Sequence, residues 1–465
     1  MNKRSLDSPR HASLHTGILP AILTMCSVMT GAVVAEPTNL GVDRSGHFIT
    51  QNDKPVFLLG DTAWPLAVRF KNEQIQRYLD NAKKLGFNVV ALFETTTWSA
   101  FDKQGKNVFG HRPFHNNNPW QLNEKYWQRY RYVIRQARAR GMYVYFCVGG
   151  PLRPKRPWNQ LETPQKAYDY GNTLGRSFRD VNRNIIWSPG MDQNPETVNL
   201  QRVDDVAEGI ADGVNGVTKL DAKADYRSTF MSYHTCGGKT TADYFHAKPW
   251  LDFNGFQTWK RYELTVPLAR KQYEMKPTKP GIDHEPAYEG DLSHKEKEVK
   301  TGWHSRLQAY WSLFSGSCGH INGTQGIWDL GTRKWRSYED GLRSEGRTDM
   351  QWVRKLIESK PLTGRIPDQS LLTSDPRQPD RDKDFICATR ASDKSYAFVY
   401  STKGGNFTVA VSKLKGKRLF AQWYDPRTGE YRKLGTFTTK GEQRFDPPAE
   451  PRAANDWVLL LQSRD

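Results

Sequence analysis

A (β/α)8 TIM barrel followed by a small antiparallel β-sandwich domain is the fold class that the sequence predicts, on three observations. Between about residues 55 and 330, short apolar β-rich runs alternate eight times with segments of helical period, the pattern of parallel strands joined by crossover helices. Polar and aromatic residues gather directly behind the runs, where a barrel collects them on one rim, and the dinucleotide fingerprint of an open doubly wound sheet is absent. From about Leu371 the texture changes to short alternating runs broken by turn residues.

The first expected strand covers residues 56–60 and its helix residues 72–85, stopped by Gly86. Strand two covers 88–93 with an amphipathic helix over 123–140 closed by Gly141, and strand three covers 143–148 with a helix over 164–178. Strand four is expected at 185–188 with a helix at 197–212, and strands five, six and seven at 229–233, 251–257 and 279–283. A helix over 299–315, strand eight at 319–322 and a last helix at 351–359 complete the barrel. In the C-terminal part, strands are expected at 385–389, 395–400, 407–411, 418–424, 430–436 and 457–461, with a tight turn from Asp425 to Gly429. The linker falls near residues 365–379, so the expected division is 1–35, 36–365 and 366–465, and no internal repeat or low-complexity tract interrupts it.

At 465 residues the chain exceeds what one hydrophobic core usually organises, which agrees with a barrel plus an accessory domain. Lys3, Arg4 and Arg10 precede an apolar stretch over residues 17–34, and Val33, Val34 and Ala35 offer small residues before Glu36. This reads as a signal peptide, and the expected location is secreted or periplasmic, without stable membrane insertion after cleavage. Leu23, Thr24 and Met25 before Cys26 do not suit a lipoprotein signal. Removing residues 1–35 takes three cations and one anion from a formal net charge of +18, leaving +16. No zinc-finger spacing, ribonucleoprotein signature or dense arginine run accompanies that charge, which argues against nucleic acid, whereas an anionic polysaccharide suits it. Cys147, Cys236, Cys318 and Cys387 are spaced too widely for a zinc ribbon and are expected to be free, or to form one bridge at most.

Carboxylates at strand ends carry the candidate chemistry. Asp192 lies just past strand four and Glu285 just past strand seven, positions that face each other across a barrel mouth. Cleavage of a glycosidic bond needs one carboxyl group to protonate the departing oxygen and a second to attack the anomeric carbon or activate water; a separation of about 5–5.5 Å marks the retaining version. Glu196, four residues beyond Asp192, is the rival acid, although its place at a helix start suits a capping role.

The sequence resembles the apiosidase-like glycoside hydrolases of the large retaining barrel clan. The resemblance rests on Leu59 to Trp64, Gly86 to Val89, Asn184 to Trp187, Asp192 to Pro195, Trp250 to Phe253 with Gln257, Pro280 to Tyr288, Ala309 to Phe314, Gly319 with His320, and Pro367 to Ser370. Tyr396 to Tyr400 and Trp423 to Gly429 resemble the β-domain, labelled collagen-binding, that follows this catalytic domain. The resemblance implies Asp192 as general acid/base and Glu285 as nucleophile in a retaining double displacement on a plant or algal type polysaccharide, with no cofactor and no metal. The loops differ from the family pattern at Met191 after Gly190, at Gly149 to Trp158 and at Gly319 to Trp328, so activity on apiose does not carry over with them.

Asp61, Trp64, Glu94, His234, Gln257 and Trp328 are the expected substrate-binding residues, with His284 as a supporting rather than catalytic group. Sugar rings present apolar C–H faces that stack on indole, and of the fifteen tryptophans Trp64, Trp98, Trp158, Trp259 and Trp328 fall on expected rim loops. A metalloprotease is disfavoured, because His284 and Glu285 run into Pro286, Ala287 and Tyr288 without the second histidine of a zinc-binding helix. The non-enzymatic rival is a carbohydrate-binding protein on the same barrel that has lost turnover.

Overall fold

Strands covered on both faces must be apolar on both faces, and that requirement shapes the barrel wall. The computed structural model describes residues 38–94, 105–149, 161–193, 199–293, 298–331, 336–373, 384–448 and 450–464. The expected leader, Trp98, Trp158 and Glu196 lie outside the described residues.

A three-stranded antiparallel sheet of β1 (Leu40–Val42), β2 (Ile49–Gln51) and β3 (Lys54–Pro55) precedes the barrel. Gln51 donates to the Tyr143 hydroxyl at the first residue of a barrel strand, so this sheet covers the end of the barrel away from the strand C-termini. The barrel then runs through β4 (Leu58–Thr62), α1 (Leu66–Arg69), α2 (Asn72–Lys84), β5 (Val89–Phe93), α3 (Glu124–Arg138), β6 (Tyr143–Cys147), α4 (Pro164–Ser177) and β7 (Ile185–Ser188). Next come β8 (Met191–Gln193), α5 (Leu200–Asn215), β9 (His234–Thr235), β10 (Lys239–Thr240), β11 (Asn254–Gln257), α6 (Thr265–Glu274) and β12 (Gly281–Glu285). A short hairpin of β13 (Leu292–Ser293) and β14 (Glu298–Val299) leads to α7 (Gly302–Phe314), β15 (Gly319–Asn322), α8 (Tyr338–Leu342) and α9 (Glu345–Glu358).

Strands β11, β12, β15, β4, β5, β6 and β7 are parallel neighbours in that order. Residues 229–233, expected as the fifth strand, fill the gap between β7 and β11 without a regular ladder. Trp187 exchanges backbone hydrogen bonds with Phe230 and Ser232 on one side; on the other, Asp252 N–H donates to Met231 O while the Asp252 side chain accepts from Met231 N–H at 2.7 Å. A side chain thus does the work of a strand backbone, and the eightfold ring closes with no extended pairing there.

Outside the wall, the helices bury the stripe that their period sets. In α2 the stripe is Ile75, Tyr78, Leu79 and Ala82, and Gly86 ends the unit with φ +82°. Along β4 the alternation sends Leu58 into the barrel and Leu59 out to the helices. No described helix is long and apolar enough to cross a membrane.

The C-terminal part comprises β16 (Arg365–Pro367), β17 (Cys387–Ala391), β18 (Tyr396–Ser401), β19 (Phe407–Val409), β20 (Arg418–Tyr424), β21 (Tyr431–Thr438), β22 (Gln443–Phe445) and β23 (Trp457–Arg464). Six of them form one antiparallel sheet, in the order β16, β17, β18, β23, β20, β21, and β19 with β22 forms a second layer. The start of the expected linker is therefore a strand, β16, paired along β17. Ala397 and Val399 of β18 face the second layer, whereas Tyr396, Phe398 and Tyr400 face the barrel helices, where Phe398 stacks on Phe314 and Tyr400 on Tyr310. Helix α7, caught between barrel and sheet, is buried along its whole length.

Candidate active site

Glu285 ends β12, and the register that places it is irregular. Gly255 pairs with Ile282 and Phe256 with Asp283, but Gln257 pairs with Glu285, so His284 and Glu285 together oppose one residue. Such a bulge turns successive side chains toward the same side. The Glu285 carboxylate is 9% exposed and held at both oxygens: Oε2 accepts from His234 Nε2 at 2.8 Å and from Gln257 Nε2 at 2.6 Å, and Oε1 accepts from the Tyr288 hydroxyl at 2.6 Å. Tyr288 in turn accepts from Trp64 Nε1 at 2.9 Å, and burial together with the Glu285 charge pushes its phenol far above the usual range, so it keeps its proton.

Asp192 sits at a second irregularity. β8 pairs in parallel with β9, Met191 opposite His234 and Gln193 opposite Thr235, and Asp192 is the extra residue, with φ +42°. That left-handed backbone is costly for a residue with a Cβ and is kept where surrounding structure enforces it. His234 is fixed from the same side, since its N–H donates to Ser188 Oγ at 2.8 Å. Behind it lies His284, parallel at 5.7 Å, its ring held well below the ordinary histidine range by burial and then by His234. A Cβ on Gly255 would lie 1.6 Å from the His284 ring, so this strand position is open only to glycine.

Asp192 and Glu285 line one cavity of about 390 Å³, together with Trp64, Gln257, Tyr288 and Trp328. Trp64 is stacked on Phe93 at 4.1 Å, which presents the indole edge-on to the Glu285 cluster, and Trp259 stands half exposed at the opening with Lys260 over its ring. The arrangement offers two carboxylates, one of them fixed by three donors, beside flat apolar walls.

Residues 43–364 match the family described as "Apiosidase-like, catalytic domain". The chain belongs to this family. Residues 366–462 match a second family, described as "Putative collagen-binding domain of a collagenase". Among solved structures, a protein titled "Glycoside hydrolase" is 25% identical, with a TM-score of 0.78, covering 92% of this chain and 98% of that one. A glycoside hydrolase family 5 protein from Bacteroides vulgatus is also 25% identical, with a TM-score of 0.78 and coverage of 91% and 94%. No curated protein sequence matches the chain. The architecture is that of a glycoside hydrolase.

Of the residues expected to bind substrate in this apiosidase-like barrel, Trp64, Gln257 and Trp328 line the cavity, and His234 reaches it through Glu285. Asp61 does not. Following Leu59 on the outward face of β4, it is fully buried between barrel and helices, where Arg347 Nε and the Tyr78 hydroxyl each donate to it at 2.9 Å. Glu94 is likewise fully buried and is not among the residues lining the cavity; burial, with Glu94 as a lesser cause, pushes the neighbouring Tyr130 and Tyr170 phenols and the Cys147 thiol up. Among the described residues no cysteine is in a disulfide; Cys147, Cys318 and Cys387 are buried and Cys236 lines the cavity.

The sequence reading assigned no role to Tyr288, Asp291 or Gln325, all of which line the cavity of this apiosidase-like chain. Tyr288 carried a usable signal, standing three residues after Glu285. Asp291 and Gln325 stand in irregular polar segments, where no periodicity marks an inward direction.

Proposed function

We propose that the chain is a secreted retaining glycoside hydrolase acting on a plant or algal type oligo- or polysaccharide, with Glu285 as nucleophile and Asp192 as general acid/base. In the first step Glu285 bonds to the anomeric carbon while the bond to the leaving oxygen breaks and Asp192 gives that oxygen its proton. In the second, Asp192 takes a proton from water, the water oxygen bonds to the anomeric carbon, and Glu285 departs as carboxylate. His234, Gln257 and Tyr288 keep the nucleophile in one orientation, and the tryptophan walls receive the sugar. The observation that carries the reading is the presence of Asp192 and Glu285 on one cavity, each delivered by a register irregularity at a strand end. Export rests on the basic and apolar pattern of residues 1–35.

Glu285→Gln should lower turnover at least about 1,000-fold on aryl glycosides while leaving the melting temperature near that of the parent. Asp192→Ala should spare the first step on substrates with very good leaving groups and slow the others. A mechanism-based fluoroglycoside should add one sugar mass to the peptide carrying Glu285. Full turnover by Glu285→Gln would overturn the reading, and an equal loss by Asp192→Ala on all substrates would move the acid role to Glu196.

A further inference from the structure

The cavity holds a third carboxylate that the double displacement does not use. Asp291 lines it and is pinned by its backbone, with its N–H on Tyr288 O at 3.0 Å and its carbonyl accepting from Lys300 N–H at 2.8 Å. Gln325 Nε2 donates to Asp291 Oδ1, and the buried Gln325 is itself anchored through its N–H to Glu289 O at 2.8 Å. Burial pushes the Asp291 carboxyl up, against the opposing pull of the Gln325 side chain, of the Lys260 charge and of the Tyr288 backbone N–H. A carboxylate that lines the cavity and is oriented by Gln325 suits a sugar hydroxyl, from which it accepts a charge-assisted hydrogen bond.

Position around the ring gives this group its side of the substrate. Asp192 follows β7, the fourth barrel strand, and Gln325 follows β15, the eighth; strands four and eight stand opposite in an eightfold ring. With the leaving oxygen at Asp192, the sugar that bonds to Glu285 lies toward Asp291, Gln325 and Trp328. The lining carries three carboxylates, Asp192, Glu285 and Asp291, and among the described residues one cation, Lys260, although the whole chain has a formal charge of +18. A further carboxylate brought in on the substrate would meet like charges in a partly dehydrated space.

Resting on the hydrolase reading, we infer that Asp291, oriented by Gln325, is a specificity-determining residue that binds hydroxyls of the glycone and excludes a glycone carboxylate, so that the substrate class at this subsite is a neutral sugar. The basic surface then serves regions outside the cavity.

The test uses the mature protein and its Asp291→Asn, Gln325→Met and Lys260→Ala variants on aryl glycosides of neutral pentoses and hexoses, with matched uronides that differ only at C6. Inhibition by free neutral sugars and free uronates, measured on whichever glycoside is cleaved, gives the same ratio where no uronide is a substrate. The parent should favour neutral sugars at least about tenfold, and Asp291→Asn should lower kcat/KM on them about 10–100-fold and narrow the ratio to uronates about tenfold or more. Gln325→Met, which loosens Asp291 without changing charge, should weaken neutral sugars yet keep uronates out; Lys260→Ala should leave the preference standing. A parent that favours uronates, a preference lost with Lys260→Ala, or a ratio unchanged in Asp291→Asn would overturn the inference while leaving the hydrolase reading intact. Absence of turnover on every glycoside would overturn both.

Discussion

His234 joins the two candidate carboxylates: its backbone pairs with Met191, the residue before Asp192, while its Nε2 lies 2.8 Å from Glu285 Oε2. A shift of β9 by a fraction of an ångström therefore moves both groups, and the site behaves as one positioned unit rather than two independent side chains. Ser188 Oγ on β7 and the stacked His284 ring hold His234 from below, so the coupling is built into the barrel wall.

The contribution of one donor in this unit is measurable at Tyr288. Tyr288→Phe keeps the ring beside Trp328 and removes only the hydroxyl that donates to Glu285 Oε1 and accepts from Trp64. Loss of a hydrogen bond to a charged group costs about 1.5–3 kcal/mol, so kcat should fall about 10–100-fold. KM should change much less, because the lost contact is to the nucleophile and not to sugar. Steady-state kinetics on an aryl glycoside decides it; a rise in KM at constant kcat would instead assign Tyr288 to sugar binding.

Barrel and C-terminal sheet should unfold together, because one buried cation spans them. Arg306 of α7 donates to both Asp456 oxygens at 2.9 Å and to Asp349 and Glu345 at 2.6 Å, and Tyr400 donates to Asp456 at 3.0 Å. Arg306→Ala leaves Asp456 buried without its cation, a change that costs about 3–5 kcal/mol. Denaturant unfolding followed by fluorescence and circular dichroism should show one earlier transition for both parts. Adding Asp456→Asn to Arg306→Ala should recover part of the loss, since one of the two buried carboxylates stranded by the substitution, Asp456 but not Asp349, is then neutral. Two separated transitions in the parent would refute the coupling.

Much of this was legible in the sequence where burial is two-sided and continuous. β5 and β6 are unbroken apolar runs, and the expected and observed spans of β7 and β15 coincide. The fifth strand was legible as a place but not as a ladder, because Asp252 supplies a hydrogen bond from its side chain and no composition rule encodes that. Helix α6 carries a weak sequence signal, since Pro267 stands in its first turn, where the missing N–H costs nothing. At the site, the strand-end position of Glu285 and Asp192 was readable, whereas their direction depends on two register irregularities. Asp61 shows the reverse: strict alternation from Leu59 sends it outward to Arg347, and strand-end position alone misled.

Asp252 gives the closure of the barrel a pH dependence. Its carboxyl accepts from Met231 N–H, and burial pushes it up to about 7 against the opposing pull of that hydrogen bond and of Lys279. The unfolded chain ionises near 3.9, so between that value and about 7 the unfolded state has lost a proton that the fold retains. The group's contribution to stability is thus complete below the unfolded value and is lost as pH rises through the folded one. Asp252→Asn keeps an acceptor for Met231 and cannot ionise, so its stability relative to the parent should improve by about 2 kcal/mol between pH 5 and pH 8. Urea unfolding of both proteins at a series of pH values measures the gap. Parallel curves would mean that the carboxyl is already ionised in the fold throughout that range, with Lys279 as its counter-charge.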